Sequence, residues 1–276
     1  MICFIEKWVF VSVSNRKIGD QIALIYQFVK RDVSARYRGS LLGMGWILLN
    51  PLLMLGLYTF AFAGILQTRW PGAEAGGGVG YAMNLFAGLI VFNLFSEVAA
   101  RAPGLILQHS NLVKKVVFPI SIFAWVGVFA AMTQLVFSYL VINFVVSFYS
   151  GGFNFSSLAF PVVIIVFIPF LLGICWFLSA IGVYFRDLSQ IINLVINLCL
   201  FLSPIFYPAS ALPDYLSGYM WLNPLTFIIE QSRMVLIDGL WPDWLGLLVY
   251  LAVSGAFAAA GYWWFQRVRR GFADVL

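Results

Sequence analysis

Charge is scarce in this sequence. Of 276 residues only 10% are Asp, Glu, Lys or Arg, while 62% are apolar; soluble domains carry roughly 25% charged residues. So few charges could not cover a water-soluble fold of this size, and the mean hydropathy of +0.95 excludes one equally. Histidine is almost missing: His109 stands alone, between the apolar runs, so a multi-histidine metal site or a Ser–His pair within the membrane would need another. Cys3, Cys175 and Cys199 have no paired spacing, which argues against a disulfide framework or a zinc site. No G-x-x-x-x-G-K-[ST] loop occurs, so the chain does not bind ATP in that way itself. The apolar stretch 8–13 is short and is followed by no small-residue cleavage site, unlike a signal peptide.

Long apolar runs are what the sequence does have. Residues 39–68, 75–96, 116–185, 188–213 and 244–266 contain no Asp, Glu, Lys or Arg. A helix needs about 20 apolar residues to cross the hydrocarbon core, whereas barrel strands are about ten residues long and alternate in polarity. The expected fold class is therefore an all-α membrane protein. The longest run divides at Gly151-Gly152, Asn154 and Ser156-Ser157, a turn-forming cluster. Six spans result, near 41–66, 81–100, 118–148, 158–185, 189–207 and 244–265.

An even count puts both termini on one side, and the basic residues choose which. With the termini inside, only Arg69 and Arg233 of the 16 Lys and Arg residues fall outside. The opposite topology would invert the positive-inside bias at every loop. The expected topology is thus multi-pass, N-in/C-in. The net charge of +5 follows from this bias, and no nucleic-acid partner is expected.

Two segments lie outside the spans. Residues 18–38 place Ile18, Ile22, Ile25, Val29, Val33 and Tyr37 three and four apart, with polar residues between them. This predicts an amphipathic helix in the cytoplasmic interface, running directly into the first span. Residues 208–243 are broken by Pro213, Pro224 and Pro242, yet contain apolar pieces at 215–222 and 225–237. They read as short outer helices that enter partway and return, which requires burial in protein; a plain outer loop is the alternative. The expected division is a cytoplasmic segment with the interface helix (1–38), a six-helix transmembrane domain (39–266) and a cytoplasmic tail (267–276).

Enzymatic readings lack parts. Asp214, Glu230, Asp238 and Asp243 fall on the outer side, while Asp32 and Asp187 each adjoin an Arg. Glu97, near the inner end of span two, is the one acid close to the bilayer interior, and Arg101 one turn later can pair with it. A membrane sugar transferase is therefore a distant reading. An ion-coupled carrier or channel is the nearer alternative, although five of the six spans carry no charge with which to bind a coupling ion.

Several motifs occur in register along the chain. They are Val29-Lys30-Arg31-Asp32-Val33-Ser34-Ala35-Arg36-Tyr37-Arg38-Gly39, then Trp46 and Leu49-Asn50-Pro51-Leu52, then Asn111-Leu112-Val113-Lys114-Lys115-Val116-Val117-Phe118-Pro119, Arg186-Asp187, Ser203-Pro204-Ile205-Phe206-Tyr207 and Leu222-Asn223-Pro224-Leu225. From about residue 20 to 265 the chain resembles the ABC-2-type permeases of bacterial polysaccharide exporters for O-antigen, capsule and teichoic acid. The resemblance implies a homodimer bound to two copies of a separate cytoplasmic ATPase, with a lipid-linked polysaccharide crossing at the dimer axis. It also implies a location in the bacterial inner membrane, that ATP and Mg are held by the partner, and that this chain binds no cofactor or metal.

The resemblance assigns roles to particular residues. Lys30, Arg31, Asp32, Arg36, Arg38, Asn111, Lys114, Lys115, Arg186 and Asp187 fall on elements that couple such permeases to their ATPase; topological charge is the competing explanation. Spans one and five fall at the pore, which selects Trp46, Asn50, Tyr58, Phe60, Phe201, Phe206 and Tyr207 as channel-lining. Aromatic faces can stack on sugar rings without a deep minimum, and conduction needs sites weak enough to leave. Packing against lipid or neighbouring helices explains most aromatics equally well. The prolines at 51, 204, 208 and 224 suit either packing kinks or a hinge.

Overall fold

The computed structural model describes residues 18–66, 70, 77–110, 119–208, 220 and 222–275, with no strand among them. The helices are α1 (Ile18–Tyr37), α2 (Trp46–Thr59), α3 (Gly77–Arg101), α4 (Ile122–Ser150), α5 (Phe160–Tyr184), α6 (Leu188–Leu202), α7 (Pro224–Leu236), α8 (Trp244–Val268) and the single turn α9 (Phe272–Val275). With their flanking turns, five stretches are long and apolar enough to cross a bilayer: Gly43–Ile65, Gly78–Gly104, Ile122–Ser150, Phe155–Tyr184 and Trp244–Gly271. They coincide with five of the six spans expected from sequence. The turn between α4 and α5 forms where the glycines and serines predicted it. Gly151 adopts φ +71 to end α4, and the Asn154 side chain accepts a hydrogen bond from Ser156 N.

The remaining expected span differs. α6 has 15 residues, roughly 22 Å of helix, which is shorter than the ~30 Å hydrocarbon core. Its end is set by Pro204, which has no N–H to continue the ladder. Ser203 leaves the helix in an extended conformation, φ −94 and ψ 150. Beyond it, α7 is no plain loop. It has 13 residues, opens on an Asn223 cap and Pro224, and is buried along Leu225, Ile228, Ile229, Ser232 and Leu236. It packs against α3 and α5.

α3 is the hub. It contacts α2, α4, α5, α6 and α7, and 78% of the apolar window in its span is buried, against 17% for the spans through α2 and α8. α8 lies along α5, where Gly261 and Gly173 let the backbones meet. A Cβ on Gly261 would lie 2.6 Å from Gly173 O, the small-residue contact by which membrane helices associate. α2 turns Leu48, Leu52, Leu53 and Leu57 outward, away from the rest of the chain, and Phe60 just after it is exposed as well.

The expected stripe on α1 is split. Val33 is buried with Ile47 and Ala130, and Val29 and Tyr37 pack around them. Phe28, absent from the predicted stripe, makes an edge contact with Phe123 at 5.7 Å. Ile22, which was placed in the stripe, is 61% exposed, because α4 reaches only the C-terminal half of α1.

Candidate functional site

Two clusters stand at opposite ends of the bundle. The first surrounds the break after α6, where helix geometry fails and backbone carbonyls lose their ladder partners. Four of these carbonyls receive side-chain donors instead. Tyr207 Oη donates to Phe201 O at 2.9 Å, and Asn223 Nδ2 to Leu202 O at 3.3 Å. Arg233 Nη2 donates to Ile205 O at 2.8 Å, and Tyr81 Oη to Phe206 O at 2.7 Å. Unsatisfied carbonyls in hydrocarbon cost several kcal/mol each, so irregular backbone persists there only with such partners. Asn223 also caps α7, since its Oδ1 accepts from Leu225 N at 2.9 Å. The Ser203-Pro204 and Asn223-Pro224 motifs, 20 residues apart, thus form one junction.

Arg233 anchors that junction. The sequence places it on the outer side without giving it a partner, and the side chain is 3% exposed. Its Nε donates to Asn84 O at 3.1 Å and its Nη1 to Glu230 at 3.2 Å. Its guanidinium carbon lies 4.6 Å from the Trp70 ring centroid. A Cβ at Gly88 would come within 2.9 Å of Nη2, so glycine on α3 leaves the guanidinium its room.

On this frame Phe201 stacks on Phe206 at 5.8 Å, with Tyr207 bonded to the Phe201 carbonyl. Three of the sequence-selected aromatics therefore meet. Tyr58 is half-buried against the core, and Phe60 is exposed. The ring that links the end of α2 to this turn is Phe62, 4.7 Å from Tyr81, which sequence reasoning missed. α2 and α6 both rest on α3. Trp46 is partly buried at the start of α2, and Asn50 opens into a cleft of about 430 Å³ between α2, α3 and α4, with Asn93, Glu97 and Gln134.

The second cluster joins α1 to α3. Asp32 and Arg36 are one turn apart on α1, as are Glu97 and Arg101 on α3, and the four close a ring of alternating charge. Arg101 meets Asp32 at 2.8 Å and Glu97 at 3.6 Å; Arg36 meets Asp32 at 3.3 Å and also pairs with Glu97. The expected Glu97–Arg101 pair is present, and Arg36 and Asp32 complete it. Partial burial tends to raise the Asp32 carboxyl, but the bonds and charges of Arg101 and Arg36 outweigh it and hold the pKa below the ordinary 3.8. A depressed carboxyl contributes its stability above the unfolded value and loses it as pH falls through the folded one. Asp32 therefore stays charged at neutral pH and gives up its pairs with Arg101 and Arg36 only under acid stronger than an ordinary aspartate needs.

The other coupling candidates separate by position. Lys30, Arg31 and Arg38 are exposed on or just after α1, and Arg186 and Asp187 are exposed in the turn between α5 and α6. Asn111, Lys114 and Lys115 lie outside the described residues, as do residues 1–17, Arg69 and the apolar piece at 215–219. Among the described residues no group of His, Cys, Asp and Glu could hold a metal ion.

Five helical stretches long and apolar enough to cross a bilayer, packed with a charged helix before them and a short buried helix, are the architecture of a multi-pass membrane protein. The chain belongs to the ABC-2 type transporter family, whose model matches residues 23–237. It is 27% identical over 263 residues to the O-antigen export system permease protein RfbA of Myxococcus xanthus, covering 95% of this chain and 98% of that protein. It is 26% identical over 264 residues to a Klebsiella pneumoniae protein of the same name, covering 94% and 97%. The Escherichia coli polysialic acid transport protein KpsM is 22% identical over 216 residues, covering 76% and 79%. The chain is a multi-pass inner-membrane protein.

Proposed function

We propose that this chain is the membrane-spanning permease of an ATP-driven exporter that carries a lipid-linked polysaccharide, of O-antigen, capsular or teichoic-acid type, across the bacterial inner membrane. The observation that carries this reading is end-to-end similarity to O-antigen export permeases from two genera. An ion-coupled carrier is disfavoured, because Glu97, the one carboxylate in the candidate spans of the described residues, is already held by Arg36 and Arg101.

The reading has six crossings, N-in/C-in, with α6 and the 203–207 turn making the fifth and α7 re-entering from outside. It keeps the division at residues 1–38, 39–266 and 267–276. Support for the orientation comes from the end that gathers Lys30, Arg31, Arg36, Arg38, Arg101, Arg186 and Arg267–Arg270, whereas Arg233 is buried at the other. Two copies of the chain pair through the exposed faces of α2 and α6, so that Trp46, Asn50, Tyr58 and Phe60 face Phe201, Phe206 and Tyr207 across the channel. Two copies of a cytoplasmic ATPase supply ATP and Mg. Purified alone, the chain should hydrolyse no ATP. Deleting its gene should abolish surface glycan, and the wild-type chain should restore it; turnover by the isolated chain or unchanged glycan would contradict the proposal.

The four-charge ring transmits ATPase motion from α1 to α3, with Lys30, Arg31, Arg38, Asn111, Lys114, Lys115, Arg186 and Asp187 on the docking side. Arg36→Gln should cut export severalfold while membrane insertion stays normal. Glu97→Gln should do the same, and the double variant should lose less than the sum of the two singles, since the Arg36–Glu97 pair is removed by both. Additive losses in export would show that the two residues act separately.

A further inference from the structure

We propose that a basic cavity between α1, the inner end of α3 and the start of α4 binds the phosphate group of a membrane lipid. The cavity is about 320 Å³ and is lined by Arg31, Arg38, Arg101 and His109, with Asp32 as its only acid among the described residues. Both Asp32 oxygens are already engaged, one by Arg101 and one by Arg36. Ion pairs among the described residues use Arg36, Arg101 and Arg233, and Arg31 and Arg38 enter none of them. Arg31 instead lies 4.7 Å over the Phe28 ring, which fixes its guanidinium at the cavity wall without neutralising it. Two positive charges therefore face this space without a carboxylate.

His109 adds a polar group of defined orientation. Its Nδ1 is 2.9 Å from Leu105 O. A carbonyl can only accept, so Nδ1 donates to it, and Nε2 of the neutral ring is then an acceptor, which suits a headgroup hydroxyl while the arginines take the phosphate oxygens. Stacking on Phe123 at 4.2 Å holds the ring in place. The remaining wall is apolar, made by Phe28, Leu105 and Val126.

That combination selects a lipid over a free anion. An inorganic phosphate gains nothing from an apolar wall, whereas a lipid places its phosphate on the arginines and its glycerol or first methylenes against Phe28 and Val126. Basic pockets beside membrane helices at the cytoplasmic surface bind anionic headgroups in this way. Gly127 on α4 keeps the space open, for a Cβ there would meet only Leu105, at 4.0 Å. A larger side chain at 127 can therefore fill the cavity from its floor. The phosphate chemistry is shared by anionic phospholipids of the bilayer and by polyprenyl phosphates that carry glycans, so the assay must separate these sources. The site goes beyond the exporter reading and does not depend on it.

The test titrates the purified full-length chain in detergent with cardiolipin, phosphatidylglycerol, polyprenyl phosphate, phosphatidylcholine and inorganic phosphate. Bound lipid is read by native mass spectrometry and by the shift in melting temperature. Anionic lipids should bind well above phosphatidylcholine. Arg31→Gln with Arg38→Gln should weaken them about thirtyfold. Gly127→Leu should weaken them comparably with every charge in place, which separates a cavity from surface charge alone. Preference for cardiolipin or phosphatidylglycerol assigns the site to bilayer lipid, and preference for polyprenyl phosphate assigns it to the glycan carrier; either supports the proposal. Equal binding of phosphatidylcholine, inorganic phosphate bound as tightly as the lipids, or unchanged binding by both variants would overturn it. No transport is read, so failure of the exporter reading leaves the result standing.

Discussion

Arg233→Gln is expected to lower the melting temperature sharply and reduce the yield of folded protein severalfold. Arg233 is 3% exposed, and its guanidinium serves the carbonyls of Asn84 and Ile205, the Glu230 carboxylate and the face of Trp70. Each buried acceptor left without a donor costs about 1–3 kcal/mol, and two carbonyls lose theirs. Glu230 is 36% exposed and can turn to water, so loss of its pair adds little. Arg233→Lys keeps the charge but not the planar fork that reaches two carbonyls at once, so it should recover only part of the loss. A glutamine variant that melts with the wild type would remove Arg233 from its anchoring role.

The second large effect concerns the channel. Phe206→Ala with Tyr207→Ala is expected to raise the resting ion conductance of reconstituted complexes and to impair glycan export. Phe201 and Phe206 stack at 5.8 Å, and Tyr207 is tied back to the Phe201 carbonyl at 2.9 Å, so both truncations open the same ring cluster. Bulky rings can close an aqueous path when empty, then part and stack on sugar faces as the polymer passes. Tyr81→Phe is the mild control. It deletes the 2.7 Å bond to Phe206 O without removing a ring, and should leak less than the double variant but more than wild type. If the rings only pack against lipid or a neighbouring helix, the double variant will lose yield and show no leak. Unchanged conductance and display in a stably assembled double variant would place the channel elsewhere.

The parts of this architecture legible in sequence are those governed by local composition. Charge-free length located five spans, the Gly151–Ser157 cluster divided the longest run, and spacing of three and four gave α1. What escaped was governed by contacts between distant residues. The carbonyls freed around Pro204 are satisfied from Tyr81, Asn223 and Arg233, and nothing local links those positions. For the same reason the partners of Arg233 were not legible, although Gly88 on α3 leaves room for its guanidinium. The Glu97–Arg101 pair was visible as a one-turn spacing, whereas its closure by Asp32 and Arg36 required α1 to dock on α3. Phe60 and Phe62 differ by two residues, and only the path of the π-helical turn Phe60–Ile65 decides that Phe62 reaches Tyr81.

The most direct test of the exporter reading is glycan movement in proteoliposomes that hold this chain with the phosphate-loop ATPase of its own transport system. A lipid-linked oligosaccharide is followed by its accessibility to an impermeant glycan-binding protein. The expected result is translocation that requires ATP and both proteins, with no movement when the chain is alone or when only a proton or sodium gradient is imposed. Gradient-driven movement without the ATPase, or ATP hydrolysis by the full complex with no glycan translocated, would contradict it.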